Sequence, residues 1–511
     1  MNKKIIVWIL LIIFLIQAIQ LIIWIKKDDS PPAWDQSWHA MISLNEYNQF
    51  FNKTHLTTRQ IEETYPIFRY ANNYYPHFYH ISTVPFYALF GTSYDSALLT
   101  NLLFLLIFIL SAYFIGKKIQ RHETGLVMAF IISTIPSYSH IMKHYLVDFS
   151  LSAMVALGFA SLLYTDYFKN LKYSLLFGAI LGFGILTKWT YLLFLIVPIF
   201  FTLFFKNGLM CKKIFRLRNI LLSFILFIFI SSTWYNPSRL KTLIPLLSRS
   251  VRGFIGGTLQ GKPDFYSLRV LSHYFFIIIN QYSFIYFLMF LIGVVTFIFK
   301  YKEKKGKKEW FLSLLSIFII YAVCTLVPNK DPRHIMPIYI FLVTVSIIGI
   351  YAIKSKKMRY ILITLVMVLG LFQNIFYNLK SINVNYNIGR ISLYDTKGMY
   401  PSHSELSIDK ILSAINNSSG RKGFSVCIIS ETEFLNDCNI PYTTLRENYP
   451  VKYMVGNGCN PLGFDYTILG PINKTWRANL FERSRTILNE NINNFKLIYS
   501  DDDVYVYKRI R

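Results

Sequence analysis

Stretches of about 20 apolar residues, the length an α-helix needs to cross about 30 Å of hydrocarbon, recur along the first three quarters of this chain. Eleven such runs are read, at 5–25, 97–115, 125–141, 149–164, 173–186, 191–205, 220–234, 275–299, 310–327, 335–353 and 360–377, of which those at 125–141 and 173–186 are short for a span. In lipid no water is available to the backbone, so an isolated run of this kind can satisfy its peptide groups only as a helix. The expected fold class is an α-helical polytopic membrane protein with about 11 transmembrane helices. Composition agrees, since 53% hydrophobic and 16% charged residues out of 511 make a chain too apolar for a soluble globule.

The net charge of +26 invites a nucleic-acid reading, but the Lys and Arg residues sit mainly in alternate short loops rather than on one basic face. They read as an orientation signal, and no nucleic-acid partner is expected. Basic clusters occur at Lys3/Lys4, Lys117/Lys118/Arg121, Lys169/Lys172, Lys212/Lys213/Arg216/Arg218, Lys300 to Lys308 and Lys354/Lys356/Lys357/Arg359. With an odd number of spans, the positive-inside rule puts the N-terminus in the cytoplasm and the C-terminal tail outside a plasma or inner membrane. Asn2, Lys3 and Lys4 precede the first run as they would in a signal peptide. No small-residue cleavage site follows, so an uncleaved first helix is expected.

Three segments depart from the pattern of helices and short loops. The first, 26–96, is far longer than the cytoplasmic loops and is expected outside. Within it Trp34, Trp38, Met41 and Ile42 lie at helical spacing, with Asp35, His39, Ser43 and Glu46 on a different face, after Pro31 and Pro32. That pattern predicts a helix in the membrane interface with a polar stripe toward a cavity. The second, 236–273, is also placed outside and holds Arg249, Arg252, Gly253, Gly256, Gly257, Gly261 and Lys262. Glycines with basic residues suit a mobile loop near an anionic ligand, or a solvated connector.

The third segment, 381–511, has an ordinary soluble composition and length enough for a small external α/β domain with its own core. In it 407–416 reads as a helix, 424–429 as a strand, and 495–499 with 504–507 as a hairpin around Asp501 to Asp503. The domain division so drawn is 1–380 and 381–511. The five cysteines show no metal-binding spacing. Cys427, Cys438 and Cys459 fall in the external tail, where one disulfide and one leftover thiol fit the compartment. Cys427 in the apolar string Val-Cys-Ile-Ile reads as a buried strand residue, which leaves Cys438 and Cys459 as the pair to consider.

Ionisable groups at membrane boundaries are costly unless they face water, a ligand or one another, so they are functional candidates. On the outer side these are Asp35, Asp148 at the start of the fourth run, Lys188 between the fifth and sixth, and Lys330, Asp331, Arg333 and His334 before the tenth. All share one membrane face, although the topology was set by the cytoplasmic charges alone.

Trp34-Asp35-Gln36-Ser37-Trp38-His39 after the first run resembles the acidic first-loop motif of the GT-C glycosyltransferases, in particular the protein O-mannosyltransferase and lipid A aminoarabinose transferase group. Tyr75-Pro76-His77-Phe78-Tyr79-His80, then Leu89 to Ser93, is similar to that group's proline-containing juxtamembrane segment. Tyr145 to Asp148, Gly184 to Lys188, and Lys330-Asp331-Pro332-Arg333-His334-Ile335-Met336-Pro337 follow in the same order. Where the mannosyltransferases have Asp-Glu this chain has Asp35-Gln36, which argues against that exact activity.

The resemblance implies a polyprenyl-phosphate sugar donor, a lipid, glycan or protein acceptor, and inversion at the anomeric carbon. Such a site needs a base for the acceptor and cations for the departing phosphate. Asp35 is the candidate base, or a cap of its helix. Asp148 orients the acceptor or shares a metal, or caps the fourth span. Lys330 and Arg333 are the phosphate ligands, with Lys188 a third cation; interfacial snorkelling is the plainer reading of such groups. Arg249, Arg252 and His39 are further candidate contacts. His39 follows Asp35 at a spacing that lets both reach one divalent metal, or form a surface hydrogen-bonded pair, and no cofactor is assigned. A transporter or flippase of lipid-linked sugars is the rival reading. Against it, the chain lacks halves of matching hydropathy, and its charges cluster on one side instead of near the midplane. A non-catalytic envelope glycan assembly protein is a third.

Overall fold

A computed structural model of the chain describes residues 2–53, 56–204, 213–245, 267–299, 306–327, 330–379, 386–388, 391–394, 401, 407–420, 422–456, 458–472, 478–501 and 503–510. Arg249, Arg252, Gly253, Gly256, Gly257, Gly261, Lys262, Cys211 and Lys212 lie outside the described residues. The chain divides into two compact units, the first made of 1–26 with 100–401 and the second of 27–99 with 402–511. The first loop thus groups with the soluble tail, whereas the sequence division at 380/381 places it with the spans.

Among the described residues each apolar run falls mainly on helix, with the run at 125–141 broken at Thr134 and Ile135. Among the described residues, six helices are long and apolar enough to cross a membrane: Lys3–Ile25, Tyr94–Ile119, Val147–Tyr164, Lys307–Leu326, Pro332–Tyr351 and Lys356–Ile375. His273–Tyr282 and Phe284–Phe299 make a seventh if taken as one span bent by 109°. The bend falls at Ser283, whose φ of 85° lies in the left-handed region that a helix interior excludes. The Ser283 hydroxyl donates to Gln373 at 2.8 Å, tying the break to a neighbouring helix. The two runs that looked short are short helices, His122–Ser133 and Leu171–Thr187, together with Tyr191–Phe204. The 220–234 run falls on the helix Lys213–Ser231.

Lipid offers apolar side chains no gain on association, so close backbone approach and interhelical hydrogen bonds hold such helices together. Both devices occur in the first unit. A Cβ on Gly116 would lie 2.8 Å from the Cα of Gly125, so glycine is what lets these two helices meet. The amide nitrogens of Gln17 and Gln20 donate to the Asn374 carbonyl oxygen at 3.0 and 2.9 Å, and Asn374 donates in turn to Ser139 at 2.9 Å. Four buried polar side chains thereby join the first and last spans to the short helix Pro136–Ile141. Near the end of this unit β1 (Tyr386–Ile388) pairs antiparallel with β2 (Ile391–Tyr394).

In the second unit the long loop folds into short helices, Asp35–Phe50, Thr58–Thr64, Pro66–Tyr74, Phe78–Ile81 and Val84–Phe90. Thr57 and Gln60 form a reciprocal capping box at the start of the second. The tail contributes β3 (Phe424–Glu431), β4 (Val451–Val455), β5 (Tyr466–Ile472), β6 (Phe495–Asp501) and β7 (Val504–Arg509) in the order β4-β3-β5-β7-β6. β3 runs parallel to β4 and β5, with Ile428 opposite Ile468, while β7 is antiparallel to β5 and β6. As the near-continuous apolar run of β3 requires, seven of its eight residues are buried. The predicted helix is present as Ile408–Ser419, with Ser407 accepting from the Lys410 amide and Gly420 closing it at φ 63°. The predicted strand and hairpin are present too.

The one disulfide among the described residues is not the Cys438–Cys459 pair considered from the sequence. It joins Cys427 to Cys459, with Cα atoms 5.8 Å apart, and Cys438, next to the helix Asn439–Arg446, is buried and outside any disulfide. Burial on β3 places Cys427 in the same core cluster as Cys459, so being a strand residue and being bonded are compatible. Within the unit the loop meets the tail where the Thr444 hydroxyl donates to the Tyr65 hydroxyl at 3.1 Å, across 379 positions of sequence.

Candidate functional site

Four of the boundary charges, Asp148, Lys188, Asp331 and Arg333, converge in the first unit. Asp148 occupies the first turn of Val147–Tyr164, where the helix dipole favours an anion. Lys188 caps the C-terminus of Leu171–Thr187, where a cation is favoured. The two side chains, 5% and 11% exposed, meet with the Lys188 ammonium donating to Asp148 Oδ1 at 2.7 Å. Arg333 enters from the 3-10 turn Pro332–Ile338 that begins a span, its Nη1 4.0 Å from Asp148 Oδ2. Opposite helix ends bring opposite charges to one place, which is why groups separated in sequence form one cluster.

Arg333 has a closer partner. Its Nε lies 3.1 Å from both oxygens of Asp331 and its Nη2 2.7 Å from Oδ2, while its backbone N–H donates to Oδ1 at 2.9 Å. Asp331 is therefore both the cap of the 3-10 turn and a forked partner for the guanidinium. Burial works against its ionisation, but the hydrogen bonds and charge of Arg333 outweigh burial and hold its carboxyl below the usual range. Beside these, His144 is half-buried, and desolvation together with His140, Lys143 and Arg333 lowers its pKa well below the ordinary value.

Lys330 is placed differently from a phosphate ligand reaching into this cluster. Its ammonium donates to the carbonyls of Cys324 at 3.2 Å, Val327 at 2.7 Å and Thr325, closing the C-terminus of Lys307–Leu326. Burial lowers its pKa.

Asp35 and His39 belong to the second unit. Asp35 is half-buried in the first turn of Asp35–Phe50, preceded by Trp34 at φ 40°. The N-cap position of this helix is Trp34, which makes no side-chain capping hydrogen bond, so Asp35 is not the N-cap expected as its alternative role. Of the predicted polar stripe, His39 and Ser43 are buried and Asp35 and Glu46 half-buried. His39 is buried with Nδ1 3.0 Å from His80 Nε2, and Glu46 two turns on accepts from His77 Nδ1 at 2.7 Å. Burial, reinforced by His39 and His77, lowers the His80 pKa well below 6.5. Among the described residues no three His, Cys, Asp or Glu side chains converge as metal ligands.

Asp331 is one of the boundary charges named from the sequence, whereas His80, inside the Tyr75 to His80 segment, and His144, just before Tyr145 to Asp148, are not. Their signal was proximity in the chain to a chosen residue, which periodicity alone cannot separate from packing.

The family model for dolichyl-phosphate-mannose-protein mannosyltransferase matches residues 62–240, which include Tyr75 to His80, Asp148 and Lys188. No curated protein matches the sequence. Among solved structures, apo ArnT from Cupriavidus metallidurans is similar at 13% identity and a TM-score of 0.59, with 97% of each chain covered. ArnT of the same organism bound to undecaprenyl phosphate gives 13% and 0.57, again over 97% of each chain. The Archaeoglobus fulgidus oligosaccharyltransferase AglB, in complex with an inhibitory peptide and a dolichol-phosphate, gives 10% and 0.53 over 99% of this chain and 74% of that one. The fold is of the GT-C type, a multi-pass helical membrane domain with a small C-terminal sheet domain.

Proposed function

We propose that this chain is a glycosyltransferase that moves a sugar from a polyprenyl-phosphate carrier to an acceptor hydroxyl or amide on the extracytoplasmic side, with inversion. The observation that carries the reading is the meeting of buried Lys188 and Asp148 with half-buried Arg333 at the ends of apolar helices, in a fold shared with structures solved with undecaprenyl phosphate and dolichol-phosphate. Cations held at a lipid boundary suit a phosphate group on a lipid tail.

In the reaction the acceptor oxygen or nitrogen attacks the anomeric carbon as the bond from that carbon to the phosphate oxygen breaks. The electron pair leaves with the phosphate, where Lys188 and Arg333 stabilise it, Arg as a planar fork and Lys as a point charge. A base must take the acceptor's proton, and the sequence motif makes Asp35 the candidate for that role. Lys330 supports the site indirectly by closing the helix before it.

The test is transfer by the purified, reconstituted protein from a radiolabelled polyprenyl-phosphate sugar. Carrier-linked sugar should be consumed, and Arg333→Ala should lower donor use about ten- to a hundred-fold, the worth of a charge-assisted contact of about 1.5 to 3 kcal/mol. Arg333→Lys should rescue only partly, because an ammonium cannot reproduce the fork. Translocation of the lipid-linked sugar across the vesicle without its consumption would favour a flippase instead.

A further inference from the structure

We propose that Asp331 is a discriminating residue of the phosphate site, one that weakens the grip of Arg333 on the phosphomonoester product relative to the phosphodiester donor. The inference rests on the reading above, that Lys188 and Arg333 receive a polyprenyl phosphate.

The site would be simpler, and a stronger anion trap, without this carboxylate. Asp331 engages Nε and Nη2 of Arg333, leaving the Nη1 edge directed toward Asp148 Oδ2 at 4.0 Å. Lys188 is likewise matched by Asp148. The two cations and two carboxylates sum to zero charge, and the nearby ammonium of Lys330 is turned onto backbone carbonyls.

The ligand's own charge changes during turnover. A sugar-phosphate-lipid diester carries one negative charge. Once the bond to the sugar breaks, the lipid monophosphate has a second ionisation near pH 6 and carries about −1.5 to −2 at pH 7. A purely cationic pocket would therefore hold product more tightly than donor and stall. A fixed carboxylate beside the guanidinium penalises the extra product charge more than the single donor charge, which is selection by a repulsive element.

A plainer role is also on the page, because Asp331 caps the 3-10 turn by accepting the Arg333 amide at 2.9 Å. The pair spans only two residues and ties no separate helices together. Asn caps as well as Asp does, so Asp331→Asn keeps the turn and removes the charge.

The experiment measures equilibrium binding of two probes to the full-length protein in one detergent: polyprenyl monophosphate and its methyl ester, a singly charged diester. For Asp331→Asn the monoester should bind on the order of tenfold tighter, as expected for removing one nearby charge at an effective dielectric of about 20. The diester should tighten by a smaller factor, so the ratio of the two Kd values shifts toward the monoester. Asp331→Glu should keep the wild-type ratio. In turnover, Asp331→Asn should show a lower kcat with stronger inhibition by added monophosphate, without a rise in donor KM. Equal tightening of both probes, or weaker monoester binding by a folded Asp331→Asn protein, overturns the inference and leaves the phosphate reading intact. If neither probe binds the wild-type protein saturably, the phosphate reading itself fails and the inference goes with it.

Discussion

The pair formed by Lys188 and Asp148 gives the most direct check on the site's physical chemistry. At 2.7 Å and an effective dielectric of about 20, the bare attraction between the two charges is about 6 kcal/mol. Most of that only offsets the cost of taking both ions out of water, so replacing the whole pair costs far less than breaking it. Asp148→Asn leaves an ammonium that is 11% exposed without its anion, and Lys188→Met leaves a carboxylate that is 5% exposed without its cation. Each single substitution should destabilise the protein by roughly 3–5 kcal/mol. The double variant Asp148→Asn/Lys188→Met should recover at least about 2 kcal/mol of the summed loss, the order of coupling expected for contacting charges. The assay is a double-mutant cycle of unfolding free energies in one detergent, with sugar transfer measured on the same preparations. Stability should return in the double variant while transfer does not, because no cation remains at position 188 to meet the phosphate. Additive single effects, with coupling near zero, would refute the pairing and the buried site built on it.

Other expectations follow from the same geometry. Asp35→Asn should stay folded and bind donor yet turn over at least about a hundred times more slowly in a single-turnover assay, the scale of general base catalysis; near-normal transfer would move the base elsewhere. The Cys427–Cys459 bridge closes a loop of 32 residues, so Cys459→Ser should cost up to ~3.7 kcal/mol in the chain-entropy picture, read as a lower melting temperature of the tail. Buried Cys438 should resist thiol reagents until that tail unfolds. Because burial holds the His80 pKa well below 6.5, the unfolded chain binds a proton that the folded one does not between those two values. Stability is therefore full above about pH 6.5 and falls on acidification, by up to about 1.4 kcal/mol per pH unit for this group; a melting series should show the slope and His80→Asn should flatten it. A cysteine introduced at exposed Ser500 should label with an impermeant reagent on intact cells, in a background lacking the other tail cysteines, and labelling only after lysis would reverse the proposed orientation.

Much of the fold was legible because its determinants are local. Hydropathy places a helix under each apolar run, Ser407 marks a helix start by its own side chain, and the Asp501 to Asp503 cluster marks a hairpin. Whatever depends on distant partners was not legible. Cys427 pairs with Cys459 because a parallel sheet puts β3 beside β4, a neighbour relation that spacing does not encode. The first loop groups with the tail through contacts such as Tyr65 with Thr444. At the site, Asp148, Lys188 and Arg333 were readable because an ion at a helix end in a lipid boundary is expensive without a reason. The ammonium of Lys330 was not, because the three carbonyls that hold it are exposed only once its helix has ended.

The paired state of these charges also bears on how donor affinity is to be read. A cation held near the bilayer must keep an anion close at all times, so Lys188 and Arg333 each carry a carboxylate from their own chain. An arriving phosphate exchanges one anion for another rather than neutralising a free charge. Its net gain is the difference between two charge-assisted contacts, not the full strength of either. Modest donor affinity would then coexist with strong dependence on each cation, since the lipid tail supplies attraction common to donor and product while the phosphate contacts supply selectivity. It follows that substituting the cations and substituting their carboxylates should move phosphate binding in opposite directions, a sign test independent of any absolute affinity.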